Sequence, residues 1–261
     1  MSILNSGIVP VGSTGGYDID NSLRFNDDDS AYLSRTPSTA GNRKTWTWSG
    51  WVKRGNLGSQ AALFSANDGT ATDTTLAVLK FNVSNELTFD AATFNYLRTT
   101  RVFRDSSAWY HIVLAFDTTN ATATDRVRMY VNGVEETAFG VRTNPTLNTD
   151  YSINSTWAHG VGVNQYTIQN KLDGYLAEVN FVDGQALTPA DFGETDETYG
   201  HWKPIEYAGT YGTNGFYLDF KTSGNLGDDV SGNTNDWTVN NLVATDQMLD
   251  SPTNNFCTLN P

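Results

Sequence analysis

Cysteine is nearly missing from this chain: Cys257 stands alone among 261 residues, which rules out an internal disulfide and any small oxidised scaffold held by cross-links. A working place outside the cell would be reached by assembly within it and later release. Basic residues are also scarce. Sixteen Lys and Arg face 29 Asp and Glu, for a net charge of −13 and a pI near 4.4, whereas a track for nucleic-acid phosphates needs the opposite balance. No apolar run approaches the roughly 20 residues of a membrane helix, and residues 1–16 lack the basic and apolar regions of a secretory signal. No nucleic-acid partner and no membrane insertion are expected. What the chain has instead is glycine, 23 residues of it, with 7 Trp, 12 Tyr, 13 Phe and many Asn, Asp, Ser and Thr. Aromatic segments between turn formers suit short strands, and helix is expected to be sparse.

Period-two alternation marks those strands. Over residues 126–132, Val127, Met129 and Val131 alternate with Arg126, Arg128 and Tyr130, and Asn132-Gly133 then supplies the two positive-φ residues of a tight hairpin. In residues 109–116, Tyr110, Ile112, Leu114 and Phe116 share one face, while Trp109, His111, Val113 and Ala115 take the other. A strand apolar on both faces belongs inside a sheet. Strands are also predicted over 46–53, 76–83, 86–90 and 175–182, the last with Tyr175, Ala177, Val179 and Phe181 on one face; Phe216, Leu218 and Phe220 repeat the pattern. A single helical turn is predicted over 188–192, capped by Thr188, opened by Pro189 and ended by Gly193. Polar turns without amphipathic helices argue for antiparallel sheets packed face to face.

Five strings then occur in a telling order: SLRFNDDDSAYLSR from Ser22, WTWSGWVKRG from Trp46, WYHIVLAFD from Trp109, RMYVNGVEE from Arg128 and LDGYLAEVNFVDGQAL from Leu172. Together they resemble the successive strands of laminin G-like domains over residues 22–187. The resemblance implies an all-β fold, a concanavalin A-like jelly-roll sandwich of two antiparallel sheets. DDVSGNTNDW from Asp228 resembles a loop that family members carry before their opening strands, yet here it follows them. Either residues 216–239 fold back as a permuted strand pair that completes the sandwich, or they begin a second domain. The first is preferred, since two strands without partners would leave backbone groups unpaired. The expected organisation is an arm over 1–21, a core over 22–187 and a C-terminal extension over 188–261.

More narrowly, NSGIVPVGSTGGYDIDNSLRFN, GNRKTWTWSGWVKRG and the ending SPTNNFCTLNP resemble virion-associated proteins of marine tailed bacteriophages. That resemblance implies a capsid decoration, fibre or tail adhesin on the particle surface, with other virion proteins as partners and a junction at TLNP. The Gly-rich arm suits ordering on a partner or within a homo-oligomer.

Catalysis finds little support. Glycoside hydrolases on this fold need Glu-x-Asp-x-x-Glu, whose alternation aims two carboxyls into one cleft. Glu194-Thr195-Asp196-Glu197 reaches Tyr199 where the last Glu should stand, and Glu178 and Asp183, five residues apart, should face opposite sides of a strand. No Gly-x-Ser-x-Gly elbow or phosphate loop is present. His111, His159 and His201 are far apart without cysteine companions, which disfavours zinc; His111 reads as an imidazole packed in a sheet, and Cys257 as a small apolar residue.

Calcium is the better cofactor candidate, because Asp228, Asp229, Asn233, Asn235 and Asp236 offer the oxygens it takes on a loop. The competing reading is an Asx-rich turn whose side chains bond nearby backbone N–H groups. Asp27, Asp28 and Asp29 form a second acidic cluster that water and salt suffice to solvate. For a host surface glycan, Trp157, His159, Asn164 and Tyr166 place aromatic and hydroxyl-binding groups in a Gly-rich stretch expected to be an exposed loop, and Trp202 adds another aromatic. The competing reading has Trp157 and Trp202 closing the sandwich ends or meeting a neighbouring protein.

Overall fold

The computed structural model describes residues 16–70, 75–91, 94–166 and 168–254; most of the arm, Cys257 and the TLNP junction lie outside the described residues. In chain order the strands are β1 (Ser22–Phe25), β2 (Tyr32–Arg35), β3 (Thr45–Arg54), β4 (Ala61–Asn67), β5 (Ala77–Phe81) and β6 (Glu86–Ala91). There follow β7 (Phe94–Val102), β8 (Trp109–Asp117), β9 (Val127–Val131), β10 (Val134–Glu135), β11 (Phe139–Arg142) and β12 (Ala158–Val161). The last are β13 (Gly174–Asp183), β14 (Gly193–Thr195), β15 (Trp202–Pro204), β16 (Phe216–Leu218), β17 (Thr238–Asn240) and β18 (Gln247–Met248).

They form two large antiparallel sheets, the all-β jelly-roll sandwich that the strand pattern implies. The first sheet runs β10-β9-β8-β3-β13-β1-β18, with β16 also on β13, and the second runs β11-β7-β6-β5-β4-β12-β2-β17. As a strand apolar on both faces should be, β8 lies inside its sheet, between β9 and β3. Asn132 and Gly133 turn β9 into β10 at φ 49° and 80°, the left-handed pair that matches the twist of the strands. Inner faces interdigitate around a buried aromatic core in which Trp46 stacks on Phe116 at 4.8 Å, and Phe64, Phe89 and Phe181 pack alongside.

The tail joins both sheets. Phe181 pairs with Phe216 and Val179 with Leu218 on the first sheet, Val239 pairs with Leu33 on the second, and Leu23 pairs with Gln247. Phe216, Leu218, Phe220 and Trp237 all enter the main core. The opening strands β1 and β2 belong to opposite sheets, so their connection crosses the sandwich edge.

Two local expectations are corrected. Tyr175, Ala177, Val179 and Phe181 do not share a face: Tyr175 and Ala177 pack on the outer side with Trp51 and Trp109, whereas Val179 and Phe181 enter the core. The cause is a β-bulge. Glu178 sits at φ 51° where the β3 register slips between Ala177 and Asn180, and the extra residue moves everything after it to the opposite face. The helical turn is a 3-10 turn over Pro189–Asp191 with Thr188 at its N-cap and Pro189 opening it, as expected, and the correction concerns its far end. Asp191 accepts from the Thr188 amide and hydroxyl at 3.0 and 3.1 Å, and Phe192 rather than Gly193 closes the turn.

Candidate functional site

At one end of the sandwich several loops are stitched to a single carboxylate. Asp183, at the end of β13 and 8% exposed, accepts from the Asn42 amide at 2.8 Å, the Asn154 side chain at 2.6 Å and the Asn214 amide at 3.0 Å. The Asn214 side chain in turn donates to Asn154 Oδ1 and Thr39 O, each at 2.9 Å. Gly41 is required here, since a Cβ would lie 2.3 Å from Asp183 Oδ2. A buried carboxylate with every oxygen engaged locks the three loops to one another.

On this platform lies an open groove of about 550 Å³, walled by residues 209–213 with Ser231 and Asn233. Tyr211 gives it a fixed wall: its hydroxyl donates to Asn180 at 2.7 Å, and its ring lies parallel to Tyr217 at 6.2 Å and edge-on to Tyr207 at 5.1 Å. Tyr207 also donates to Thr210 O, and the Asn233 side chain donates to Gly212 O and Gly215 O at 2.7 and 2.9 Å. The hydroxyls of Thr210 and Thr213 and Asn233 Oδ1 keep no partner among the described residues, and none of the walls is charged. Such a set of neutral donors and acceptors beside a rigid ring has the chemistry to hydrogen-bond hydroxyl groups.

The outer face of the first sheet carries a second polar assembly, beneath residues 189–207. Glu178, thrown outward by the bulge, accepts from the Tyr17 hydroxyl at 2.9 Å and from the Tyr217 hydroxyl at 2.8 and 2.7 Å. Burial pushes its carboxyl up to about 7 against the lowering effect of those bonds. It borders a small cavity of about 10 Å³ shared with Ser49, His111 and Asn180, room for one water at most. Ser49 Oγ lies 2.8 Å from His111 Nε2, the spacing of a nucleophile and its base. The imidazole cannot act as one. Trp202 donates its indole N–H to Nδ1 at 3.0 Å, so Nε2 carries the proton and donates to Ser49, and burial pulls the ring down to about 3.

The residues singled out for sugar contact are not brought together. His159 and Asn164 are buried, because their stretch is strand β12 and its exit, paired between β2 and β4, rather than an exposed loop. His159 props the platform: Nδ1 donates to Trp157 O at 2.8 Å, Nε2 accepts the Asn154 amide at 2.9 Å, and burial lowers the ring to about 4. Asn164 Oδ1 accepts the Tyr166 amide at 3.0 Å, and Tyr166 packs on Ala62, Leu76 and Val78 outside the second sheet. Trp202 lies on the outer face of the first sheet, stacked 6.0 Å from His111. Trp157 sits half-buried at the loop end, its ring 5.3 Å from the Arg43 guanidinium.

The loop over 228–236 is likewise committed to itself. Asp229 accepts from the amides of Tyr217, Ser231 and Asn235 and from the Ser231 hydroxyl, all within 3.0 Å, and Asp236 accepts the Asp229 amide. Asn235 turns its NH₂ to Thr213 O and Gly215 O and its oxygen to the Arg35 guanidinium. Among the described residues the Asp228 carboxylate accepts only longer bonds, from Thr222 and Asn225 at 3.4 and 3.3 Å. A guanidinium against one oxygen and four donors on another residue leave no shell for calcium, so the five residues do not fit that ion as arranged; the Asx-turn reading describes them. Asp27 and Asp29 likewise form a surface turn, where Asp27 O accepts the Ser30 amide and Asn26 donates to Asp29.

Sequence reasoning passed over Thr210, Tyr211 and Thr213. The available signal was the AGTYGTNG string, rich in Gly and Thr around one tyrosine, but no local pattern shows that Asp183 gathers other loops beside it.

A two-sheet jelly roll with a hydroxyl-lined groove among its end loops defines a lectin-like sandwich protein. Residues 25–192 match the family model of the concanavalin A-like lectin/glucanases superfamily, and the chain belongs to that family. None of the curated proteins compared with the chain matches it. Among solved structures it is similar to a heptameric SAP-like pentraxin from Limulus polyphemus, at 16% identity and a TM-score of 0.49 over 74% of this chain and 91% of that one. It is also similar to the LG4-5 domains of the mouse laminin alpha1 chain, at 13% identity and a TM-score of 0.44 over 74% and 46%. A third is the CBM40 of Ruminococcus gnavus IT-sialidase bound to alpha2,3 sialyllactose, at 13% identity and a TM-score of 0.39 over 52% and 73%.

Proposed function

We propose that this chain is a non-catalytic glycan-binding protein displayed on a tailed-bacteriophage particle, where it contributes to attachment at the host surface. The observation that carries the glycan reading is the uncharged loop-end groove in which the Thr210 and Thr213 hydroxyls and Asn233 Oδ1 have no partner among the described residues, beside the braced ring of Tyr211. Membership of a lectin/glucanase superfamily supports it. The non-catalytic reading is supported by the outer-face cavity, which has a single carboxyl, Glu178, among its walls and no room for a sugar; a retaining glycosidase needs two carboxyls roughly 5 Å apart around its substrate. The particle reading, with other virion proteins as partners, rests on the resemblance of three sequence strings to marine phage virion proteins, and the Gly-rich arm favours a homo-oligomer.

A glycan array and host-cell binding assay on the purified chain, with and without calcium, tests this together with its mass by light scattering. Saturable binding that Thr210→Ala/Thr213→Ala weakens about tenfold, the loss of roughly 1.4 kcal/mol in hydrogen bonds, is expected. Binding should be indifferent to chelation. A defined oligomer that binds no glycan and no host cell would leave a purely structural virion protein and remove the attachment role.

A further inference from the structure

Next to the groove, on the outer face of the first sheet, lies a smaller cleft of about 140 Å³ between β8, β9 and the loop after β13. Its floor is apolar, made by Tyr130, Leu187 and Ala115, and its rim carries Asp117, Asn120, Asp125 and Arg128. The volume equals about five waters, the scale of one sugar ring.

The rim keeps unused valences of both kinds. Asp117 engages Thr45 and Thr119 through Oδ1, at 3.2, 2.9 and 2.6 Å, and Asn120 takes the Thr122 amide on its oxygen at 2.9 Å. Asp117 Oδ2 and Asn120 Nδ2 therefore remain without partners among the described residues, an acceptor and a donor suited to neighbouring hydroxyls. The one cation does not invite an acid. Arg128 is held by Asp125 at 2.8 Å and faces Glu135 at 4.0 Å, so the cleft keeps an excess of negative charge in a chain that already carries −13.

Groove and cleft adjoin. Gln185 donates its side-chain N–H to Thr210 O at 2.9 Å, and Thr210 walls the groove while Ala186 and Leu187, the next residues in sequence, wall the cleft. The backbone of Gln185 is held from behind by the Thr47 hydroxyl, which donates to its carbonyl at 2.7 Å. A single fixed side chain thus forms the saddle between the two hollows.

We propose that the groove and the cleft are consecutive subsites of one path, and that the ligand is a neutral oligosaccharide laid across Gln185 rather than a single sugar or an acidic glycan. This rests on the glycan reading of the groove. Occupying both hollows by one chain makes the second contact intramolecular, so affinity should climb steeply with chain length.

The test is calorimetric titration with neutral glucose, galactose and mannose oligomers from the monosaccharide to the hexasaccharide, beside sialylated and sulfated counterparts. The whole chain is compared with Ala186→Trp, which fills the cleft from an exposed position, and with Asn120→Asp, which keeps the oxygen that holds Thr122 and removes the donor. Expected are at least tenfold tighter binding of the longer neutral oligomers than of the monosaccharide and loss of that gain in both variants. Unchanged thermal midpoints would exclude misfolding. Equal affinity for short and long oligomers, or a variant that keeps the full gain, overturns the two-subsite path and leaves the groove reading standing; preference for the acidic glycans overturns the charge argument. Binding of no oligomer at all removes the glycan reading and this inference with it.

Discussion

Glu178 occupies a left-handed backbone conformation that favours glycine, and it buries a carboxyl beneath two tyrosines; both features raise free energy and are held by the surrounding sheet. Its carboxyl, raised from an ordinary value near 4.5 to about 7 by burial, keeps its proton in the folded state over a range where the unfolded chain loses it. The contribution is complete below about pH 4.5 and is lost as pH rises through 7. His111 and His159, lowered by burial to about 3 and 4, act with the opposite sign: their contribution is present above about 6.5 and declines as pH falls. Glu178→Gln should therefore gain stability relative to the parent between pH 4.5 and 7, by on the order of 3 kcal/mol across that window. Thermal unfolding at several pH values checks this, and a difference that stays constant with pH would refute it. Asp183→Ala should cost about 3 kcal/mol or more, since three buried or partly buried donors lose their acceptor together. Chemical denaturation reads that loss, and amide exchange at Asn42 and Asn214 should accelerate with it.

At the scale of elements, local pattern and tertiary packing meet at the first sheet. The β9–β10 turn was legible because Asn-Gly satisfies a requirement of two residues alone, and Asn132→Val should cost about 1–2 kcal/mol through its positive φ, measurable as a lower denaturation midpoint. The same turn has a long-range duty that no alternation discloses. A Cβ on Gly133 would lie 2.4 Å from the Trp202 ring and one on Gly193 2.5 Å from it, so the indole of β15 is clamped between two glycines while it fixes His111. Trp202→Phe should leave His111 Nδ1 without its donor and free the ring to change tautomer. The imidazole nitrogen shifts in an NMR spectrum would then move, whereas a purely space-filling role would leave them in place. In β13 the bulge defeated the face assignment, because one inserted residue reverses every later side chain.

At the scale of the whole molecule, both ends of the described chain close the sandwich. The Ser251 hydroxyl bonds Ile19 O across 232 residues, and Trp109 and Lys53 both reach Asp250. A chain ended at residue 213 would lose β16, β17 and β18 and strip partners from β13, β2 and β1, exposing Phe181, Leu33 and Leu23 to water. It is expected to lack a cooperative thermal transition and the sharp near-ultraviolet dichroism of packed aromatics, while the chain through residue 254 keeps both. The strands β3, β5, β6, β8, β9, β13 and β16, the hairpin and the buried setting of β8 followed from the sequence alone, because side-chain alternation and turn chemistry depend on neighbours a few residues away, whereas β4, β7, β11 and β12 carried no such legible pattern. The groove, the roles of Asp183 and His159, and the self-bonded state of Asp229 and Asn235 were decided only by the tertiary structure. Their partners stand up to 200 residues off in sequence, and whether a carboxylate, an amide or an imidazole is free for a ligand depends on which distant donor reaches it first.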